Sequence, residues 1–488
     1  MSGKPGNDAD VLVVGAGPVG LLLAGELRLG GASVLVVDRL PSPTTESRAS
    51  TVHARTMELL ALRGLSGRFG TPENLPKGHF GGLPLDLGRV RSRYPGQWKI
   101  PQAAIERVLA EWATGAGARL WRGHELTGLR DDGDRVEARI SGPGGPLRVR
   151  AKALVGCDGE NGVVGSLAGF EFTGPAAGRE IFRADLTGIT VPDRRFERHE
   201  RGLAIASTRD GITRVMVHEY GRKPGGSADP GFPAVAAAWR RVTGEDIGGG
   251  EPLWVNAFGD ARRQATRYRR GRVLLAGDAA HQQMPVGGQA LNLGLQDAMN
   301  LGWKLAAWVR GRAPERVLDT YDRERRPVGA RTLANIGAQA MLLLGGSEVD
   351  PLRAVLAELL ELPGTAPLLA GAISGLDVRY PVGDGDHPLL GRPVPVVDAE
   401  PIRSGRAVLL SAPGTARADV FRATAASWAD RVATAEARVD GVDEAVLIRP
   451  DGRVIWADEG PVELEQALSH WFGPAGANHT ERNHRGVR

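Results

Sequence analysis

One cysteine, Cys157, stands among 488 residues. That excludes a disulfide within the chain and a Cys-x-x-Cys dithiol, so any electron transfer must run through a bound cofactor. Lysine is nearly as scarce, at six of the 61 basic residues. The arginines are scattered and form no basic run, and the formal net charge is only +4 despite a sequence pI near 9.4. A phosphate-tracking surface is therefore not expected, and the excess of arginine, alanine and glycine reads as the mark of a GC-rich coding sequence. No apolar run approaches the roughly 18 residues that a membrane helix requires. The opening Met1-Ser2-Gly3-Lys4-Pro5-Gly6 has neither an apolar core nor a cleavage pattern. The expectation is a cytoplasmic, globular protein with no nucleic-acid and no membrane partner, long enough at 42% hydrophobic content for two or three cored domains.

What is present begins near the N-terminus. Asp10 to Val14 reads as a buried strand that ends in Gly15-Ala16-Gly17-Pro18-Val19-Gly20; a helical pattern from Leu21 to Leu29 follows, and a second strand, Ser33 to Val37, ends at Asp38-Arg39. In this setting the glycines form a dinucleotide fingerprint. Gly15 makes the tight turn, Gly17 admits a pyrophosphate with Pro18 beside it, Gly20 lets helix and strand pack, and Asp38 bonds a ribose hydroxyl.

A second run lies at mid-chain. The strand Val273 to Ala276 leads into Gly277-Asp278-Ala279-Ala280-His281, then Pro285-Val286-Gly287-Gly288-Gln289-Ala290-Leu291-Asn292, and a long helix is expected from about Asn292 to Arg310. An acid, a glycine-rich turn and a helix N-terminus carrying about half an elementary charge suit a flavin, whose ring gains negative charge on reduction. Asp278 accepts hydrogen bonds from flavin hydroxyls, while Pro285, Gly287, Gly288 and Gln289 offer a close backbone wall. Between the two runs, Ala153 to Gly156 reads as another buried strand, ending in Cys157-Asp158-Gly159.

The expected fold class is α/β: a Rossmann-like FAD-binding domain of the glutathione-reductase type, made of residues 1–74, 101–175 and 268–345. Into it is inserted an antiparallel substrate sheet, residues 75–100 and 176–267, the latter marked by alternation as in Thr213 to His218. A helical linker spans 346–384. A small α/β unit spans 385–474, and a polar tail, 475–488, carries His479, Asn483 and His484, for which no metal is expected.

With the glycine motif, Asp158-Gly159 and Gly277-Asp278 in this order, the chain resembles the flavin-dependent aromatic hydroxylases of the para-hydroxybenzoate and phenol hydroxylase class over nearly its whole length. It looks most similar to tailoring oxygenases of aromatic polyketide (angucycline and anthracycline) pathways. The resemblance implies a thioredoxin-like C-terminal domain without the dithiol, which the turn Arg449-Pro450-Asp451-Gly452 before Trp456 fits. It also implies that Arg48 and Gln102 contact FAD. The implied activity is reduction of FAD by NADPH or NADH, formation of a flavin C4a-hydroperoxide with O2, and hydroxylation of a polycyclic aromatic substrate. A homodimer is the assembly considered.

Within that resemblance Pro285 and Gly287 frame the catalytic face, and Arg55, His53 and, more weakly, Arg262, His218 and His281 are candidate substrate or proton-transfer residues. Satisfied structural roles compete with each. One departure stands out. The family carries Ser three positions beyond the Gly of Asp-Gly and Arg three further; here those positions are Gly162 and Gly165, which removes a guanidinium contact and puts nicotinamide use in doubt. Alternatives left open are Baeyer-Villiger insertion on the same substrates, a flavin-binding pseudoenzyme that chaperones an intermediate, and halogenation, the last from the faint likeness of Gly96-Gln97-Trp98-Lys99-Ile100-Pro101.

Overall fold

The computed structural model describes residues 8–44, 49–225, 229–394, 400–458, 460 and 462–476. Arg48, the opening Met1–Gly6 and the tail residues His479, Asn483 and His484 lie outside them.

The first sheet is built on four parallel strands whose apolar runs leave no polar face. Val273–Leu275, Gly145–Gly156, Ala9–Val14 and Val34–Asp38 lie side by side, and Arg119–Arg122 adds a fifth parallel strand beyond Asp38. Val11 to Val14, Leu154, Val155 and Val273 to Leu275 are all buried, as expected for a sheet covered on both sides. Because the strands run the same way, Gly15, Asp38, Cys157-Asp158 and Gly277 emerge at one edge, where such sheets bind ligands.

The helices that matter, in chain order, are α1 (Pro18–Leu29), α2 (Ala54–Leu62), α3 (Gln102–Gly115), α4 (Val164–Leu167), α5 (Phe232–Thr243), α6 (Gln289–Val309) and α7 (Glu315–Leu344). Small residues let α1 approach its neighbours: a Cβ on Gly25 would lie 2.0 Å from the Trp112 ring of α3, and one on Gly302 of α6 would lie 2.3 Å from Glu26 Cβ. Helix α6 starts three residues before the expected Asn292, since Gly287 and Gly288 take left-handed φ values of 65° and 68° and release the chain into helix at Gln289. In the C-terminal unit a helix spans Ala416–Ala425 and tightens into a 3-10 turn, and the last helix runs Leu464–Phe472.

A second sheet of five antiparallel strands has the order Arg194–His199, Gly202–Arg209, Ile212–Glu219, Glu180–Thr187, Glu251–Gly259. One face packs on α5 through Phe182, Val215 and Trp239. The other packs Ile181 and Leu203 against Met284 and Val286 and against Ile336, Ala340 and Leu343 of α7. The loop around Pro285 is thereby wedged between sheet and helix. A three-stranded sheet, Thr51–His53, Gln97–Lys99 and Glu73–Leu75, stands beside it. The C-terminal unit is a four-stranded sheet in the order Val432–Glu436, Ala407–Ser411, Ala445–Ile448, Val454–Ala457; its first pair is parallel and the rest antiparallel.

Candidate functional site

The sheet edge forms a cradle whose shape is set by its glycines. Gly15 takes φ +106°, and a Cβ there would lie 2.3 Å from the Cys157 carbonyl oxygen; one on Gly20 would lie 2.0 Å from the Gly15 oxygen. Both positions are closed to any side chain. Gly17 differs: a Cβ on it meets nothing within 4 Å, and no side chain caps α1. The N–H groups of the first turn of α1 thus face open space, the arrangement that receives a pyrophosphate. Pro18 occupies the first helical turn, where a missing N–H is no loss. Asp38 accepts from Ala16 N at 2.6 Å and Leu40 N at 2.8 Å, which orders the glycine loop and leaves carboxylate lone pairs for a ribose hydroxyl.

Asp158 stands across the same edge. Its Oδ2 accepts from Val164 N at 2.9 Å, while Oδ1 is buried without a partner among the described residues. Burial raises its pKa, against the backbone N–H of Val164 and the charge of the exposed Arg39, which lower it. A buried carboxylate oxygen with no donor fits a ligand hydroxyl. Gly159, at φ +80°, turns the chain behind it. The structure gives Gly162 a cause of its own: a Cβ there would lie 2.2 Å from Asp158 Cγ and 2.4 Å from both carboxylate oxygens. Its bareness therefore accommodates Asp158 folded onto the start of α4. A Cβ on Gly165 meets only the Phe172 ring, at 3.4 Å.

The second half of the cradle is the loop from Gly277 to Asn292. Gly277 takes φ +65° and donates its N–H to Asp297, while Asp278 is exposed on the 3-10 turn Gly277–Ala279. Gly288 at the cap has no side chain to satisfy the first N–H groups of α6, so among the described residues its positive end is open toward the loop. Pro285 is exposed and Gly287 is half-buried.

Several expected ligands turn out to hold the loop. Asn292 uses its whole amide on the protein: Oδ1 accepts from His53 N at 2.9 Å, and Nδ2 donates to Thr51 O at 3.0 Å and Gly288 O at 2.7 Å. Asn292 is thus a brace for the loop. Gln289 donates to Asn335 of α7 at 3.2 Å, which leaves its backbone N–H at the helix end. Ala290 and Leu291 follow in the first turn of α6, half-buried. His53 donates Nε2–H to the Gly287 carbonyl at 2.7 Å, and burial lowers its pKa to about 4. The imidazole is therefore neutral, with Nε2 used on the loop and Nδ1 buried without a partner among the described residues.

Arg55 is tied down on two sides. It is 3% exposed and donates to Glu58 Oε2 and to the Asp451 carbonyl, both at 2.9 Å, at the junction with the C-terminal unit. Arg262 lies against the backbone of α7, where a Cβ on Gly337 would fall 1.8 Å from its Nη1. His218 lies 2.7 Å from the Glu180 carbonyl and His281 2.8 Å from Asp297 Oδ2, both buried. Gln102 donates to Glu106 at 2.8 Å at the start of α3.

The sequence reading passed over the charges sealed behind the cradle. Asp297 accepts from His281 and from Arg325 Nε at 2.7 Å, and Arg325 reaches the Tyr380 hydroxyl at 3.0 Å. Glu324 accepts from Lys304, Asn300 and Arg449, and Arg449 also holds Asp451. A lysine in the apolar pattern of α6 was the available signal.

The same order of parts recurs in known proteins. A family model described as the FAD binding domain matches residues 8–336, and one described as the aromatic-ring hydroxylase C-terminal domain matches residues 387–475. The 12-dehydrotetracycline 5-monooxygenase/anhydrotetracycline 6-monooxygenase of Streptomyces rimosus is 41% identical over 95% of this chain and 99% of that protein. Among solved structures, BexE, studied for oxidation during BE-7585A biosynthesis, is 49% identical with a TM-score of 0.92, covering 96% of this chain and 100% of that one. CabE, an aromatic hydroxylase from angucycline biosynthesis, is 47% identical with a TM-score of 0.91 over the same shares. Among the described residues, no single helix is long and apolar enough to cross a membrane.

Proposed function

The chain belongs to the FAD-dependent aromatic hydroxylases, and from that premise we propose that it adds one oxygen atom from O2 to a ring carbon of a polycyclic aromatic polyketide. What carries the reading is the divided cradle. The N-terminus of α1 and Gly17 would hold the pyrophosphate, Asp38 and Asp158 would accept from hydroxyls, and the open N-terminus of α6 would stabilise the negative charge a flavin gains on reduction. FAD supplies two-electron storage and the activation of oxygen. The protein's part is to position and to exclude water. The loop that backs the flavin, fixed by His53 and Asn292, packs through Met284 and Val286 on a sheet face whose Phe196, Ile205, Met216 and Phe258 remain only partly buried. A planar, apolar ligand suits that face.

NADPH or NADH is the proposed electron donor. Gly162 and Gly165 leave no guanidinium beside Asp158 from that segment, so reduction in the absence of substrate is expected to be slow. The strand order of the C-terminal unit, one parallel pair flanked by antiparallel strands, supports the thioredoxin-like reading without a dithiol. The test is to incubate FAD-loaded protein with tetracyclic phenols, NADPH and labelled O2, and to weigh the product. One labelled oxygen atom gained supports hydroxylation; loss of two hydrogens without oxygen redirects the reading to dehydrogenation.

A further inference from the structure

Lys99 lies beside the flavin-facing loop with no acid in ion-pair contact among the described residues. Its strand, Gln97–Lys99, sits between Thr51–His53 and Glu73–Leu75, with Lys99 in register with both Thr51 and Glu73. Alternation sends Trp98 into the main core and places Gln97 and Lys99 on the opposite face with Thr51 and His53. That face is the one that touches the loop: a Cβ on Gly288 would lie 2.9 Å from Thr51 Cβ and 3.3 Å from His53 Nε2. Lys99 Nζ donates to Thr51 Oγ1 at 3.0 Å, and no carboxylate lies within ion-pair distance among the described residues. Glu73 is taken by Arg209, at 3.2 Å.

The neighbourhood is otherwise cationic or neutral. Burial lowers the Lys99 pKa, and the charges of Arg195 and Arg209 lower it further; only Glu73 opposes them. His79 is pushed down to about 3 by burial, then by Arg195, His53 and Lys99. Its ring packs on Phe196, with centroids 4.1 Å apart. Phe196 holds φ +58° at a register shift in its strand, a strained conformation of the kind that persists where a ligand is clamped. Phe196 also belongs to the sheet face that meets Met284 and Val286. A half-buried amine without a paired carboxylate among the described residues, an aromatic wall and the flavin loop therefore meet in one place.

We propose that Lys99 anchors the substrate by an ionised phenol oxygen, with Phe196 and His79 forming the adjoining wall. The inference rests on the hydroxylase reading above and adds a positioning residue to it. The phenol O–H gives its proton to the Lys99 amine where that is neutral and to solvent where it already carries its charge; either way the result is an ammonium–phenolate pair. The ionised ring is the more electron-rich carbon nucleophile for oxygen transfer.

The test uses the FAD-loaded protein and two probes, 2-hydroxyanthraquinone and its methyl ether, at a pH where the free phenol is mostly un-ionised. Wild type is expected to bind the phenol about tenfold or more tightly than the ether and to develop the red-shifted phenolate band. Lys99→Met loses both with FAD content and melting temperature unchanged, Lys99→Arg keeps the band, and Thr51→Val, which removes only the hydrogen bond to Nζ, weakens the preference less. A phenolate band and preference that persist in Lys99→Met overturn the proposal, as does a wild type that binds the two probes alike or binds neither. If the band behaves as expected but no labelled oxygen enters any product, the hydroxylase reading fails and the anchor stands.

Discussion

Arg449 grips Glu324 with both terminal nitrogens, Nη1 to Oε1 at 2.7 Å and Nη2 to Oε2 at 2.9 Å, and so fastens the C-terminal sheet to α7 at a site fully closed to water. The same guanidinium holds Asp451, and Lys304 of α6 shares Glu324 at 2.8 Å. Such clusters need every partner, because a lone charge left inside has no solvent to fall back on.

Arg449→Met therefore takes the guanidinium from Asp451 and leaves Glu324 with Lys304 as its one cation. The expected loss is about 3–5 kcal/mol of stability, read as a lower melting temperature and as proteolysis near the 375–406 connection before the FAD-binding sheet unfolds. A melting temperature within a degree or so of wild type would show that the network is dispensable.

Acid should open the same seam. Burial alone would raise the carboxyls of Glu324, Asp297 and Asp451, but Arg449 with Lys304, Arg325 with His281, and Arg449 respectively overcome it and hold all three below the ordinary carboxylate range. A carboxylate depressed in the fold contributes stability above its unfolded pKa, near 4, and that contribution is lost as pH falls through the folded value. Asp158, raised by burial, acts with the opposite sign and is one against three. Thermal scans should begin to fall below about pH 6.5, where the unfolded chain protonates imidazoles that the fold keeps neutral, His53 down to about 4 and His79 down to about 3, and should steepen below about pH 5 as the three carboxylates are lost; Glu324→Gln, already less stable, should fall less steeply in that lower range.

How much of this could be read from residues alone differs by part. The roles of Gly15, Gly17 and Gly20 were legible because backbone approach is local: each glycine answers to atoms within a strand and a turn. Asn292 and Arg55 were not, since their partners, Thr51 with His53 and the Asp451 carbonyl, lie hundreds of residues away in sequence. Helix α7 runs 30 residues through Pro327, a residue that argues for a break; contacts with α6 and the five-stranded sheet keep it whole. Lys99 belongs to no motif, and its meaning depends on which face of a three-residue strand it occupies. Arg48 remains a reading from resemblance alone.

Replacing His53 tests the brace. His53→Ala removes the bond to the half-buried Gly287 carbonyl, so the loop should loosen: FAD release about tenfold faster and more hydrogen peroxide per NADPH consumed. The pH dependence of turnover should not move, because the imidazole is already neutral well above a pKa of about 4. A displaced pH profile in His53→Ala would return the residue to proton transfer.

Gly17 and Gly20 are separated by three positions and should fail differently. A side chain at 17 enters empty space at an ordinary φ of −77°, so Gly17→Val should fold with near-native melting in the apo state yet bind FAD weakly or not at all. A Cβ at 20 meets a backbone oxygen at 2.0 Å, which no rotamer relieves, and Gly20→Ala should lose stability by about 1–3 kcal/mol even without cofactor. Equal melting of the two apo variants would contradict the assignment of Gly17 to the ligand and Gly20 to packing.

Gly162→Ser restores the residue the family carries there, and the geometry says that restoring it alone does harm. With its Cβ 2.2 Å from Asp158 Cγ, serine forces the carboxylate off the Val164 N–H and away from the cradle, so the Oδ1 that awaits a ligand hydroxyl is displaced too. FAD affinity, measured by flavin fluorescence, should fall about tenfold, and anaerobic bleaching of the bound flavin by NADPH should be no faster than in wild type. If serine instead leaves FAD binding intact and speeds reduction, Asp158 has a second resting place, and the bareness of this segment is a loss of nicotinamide contact, not an accommodation of the carboxylate.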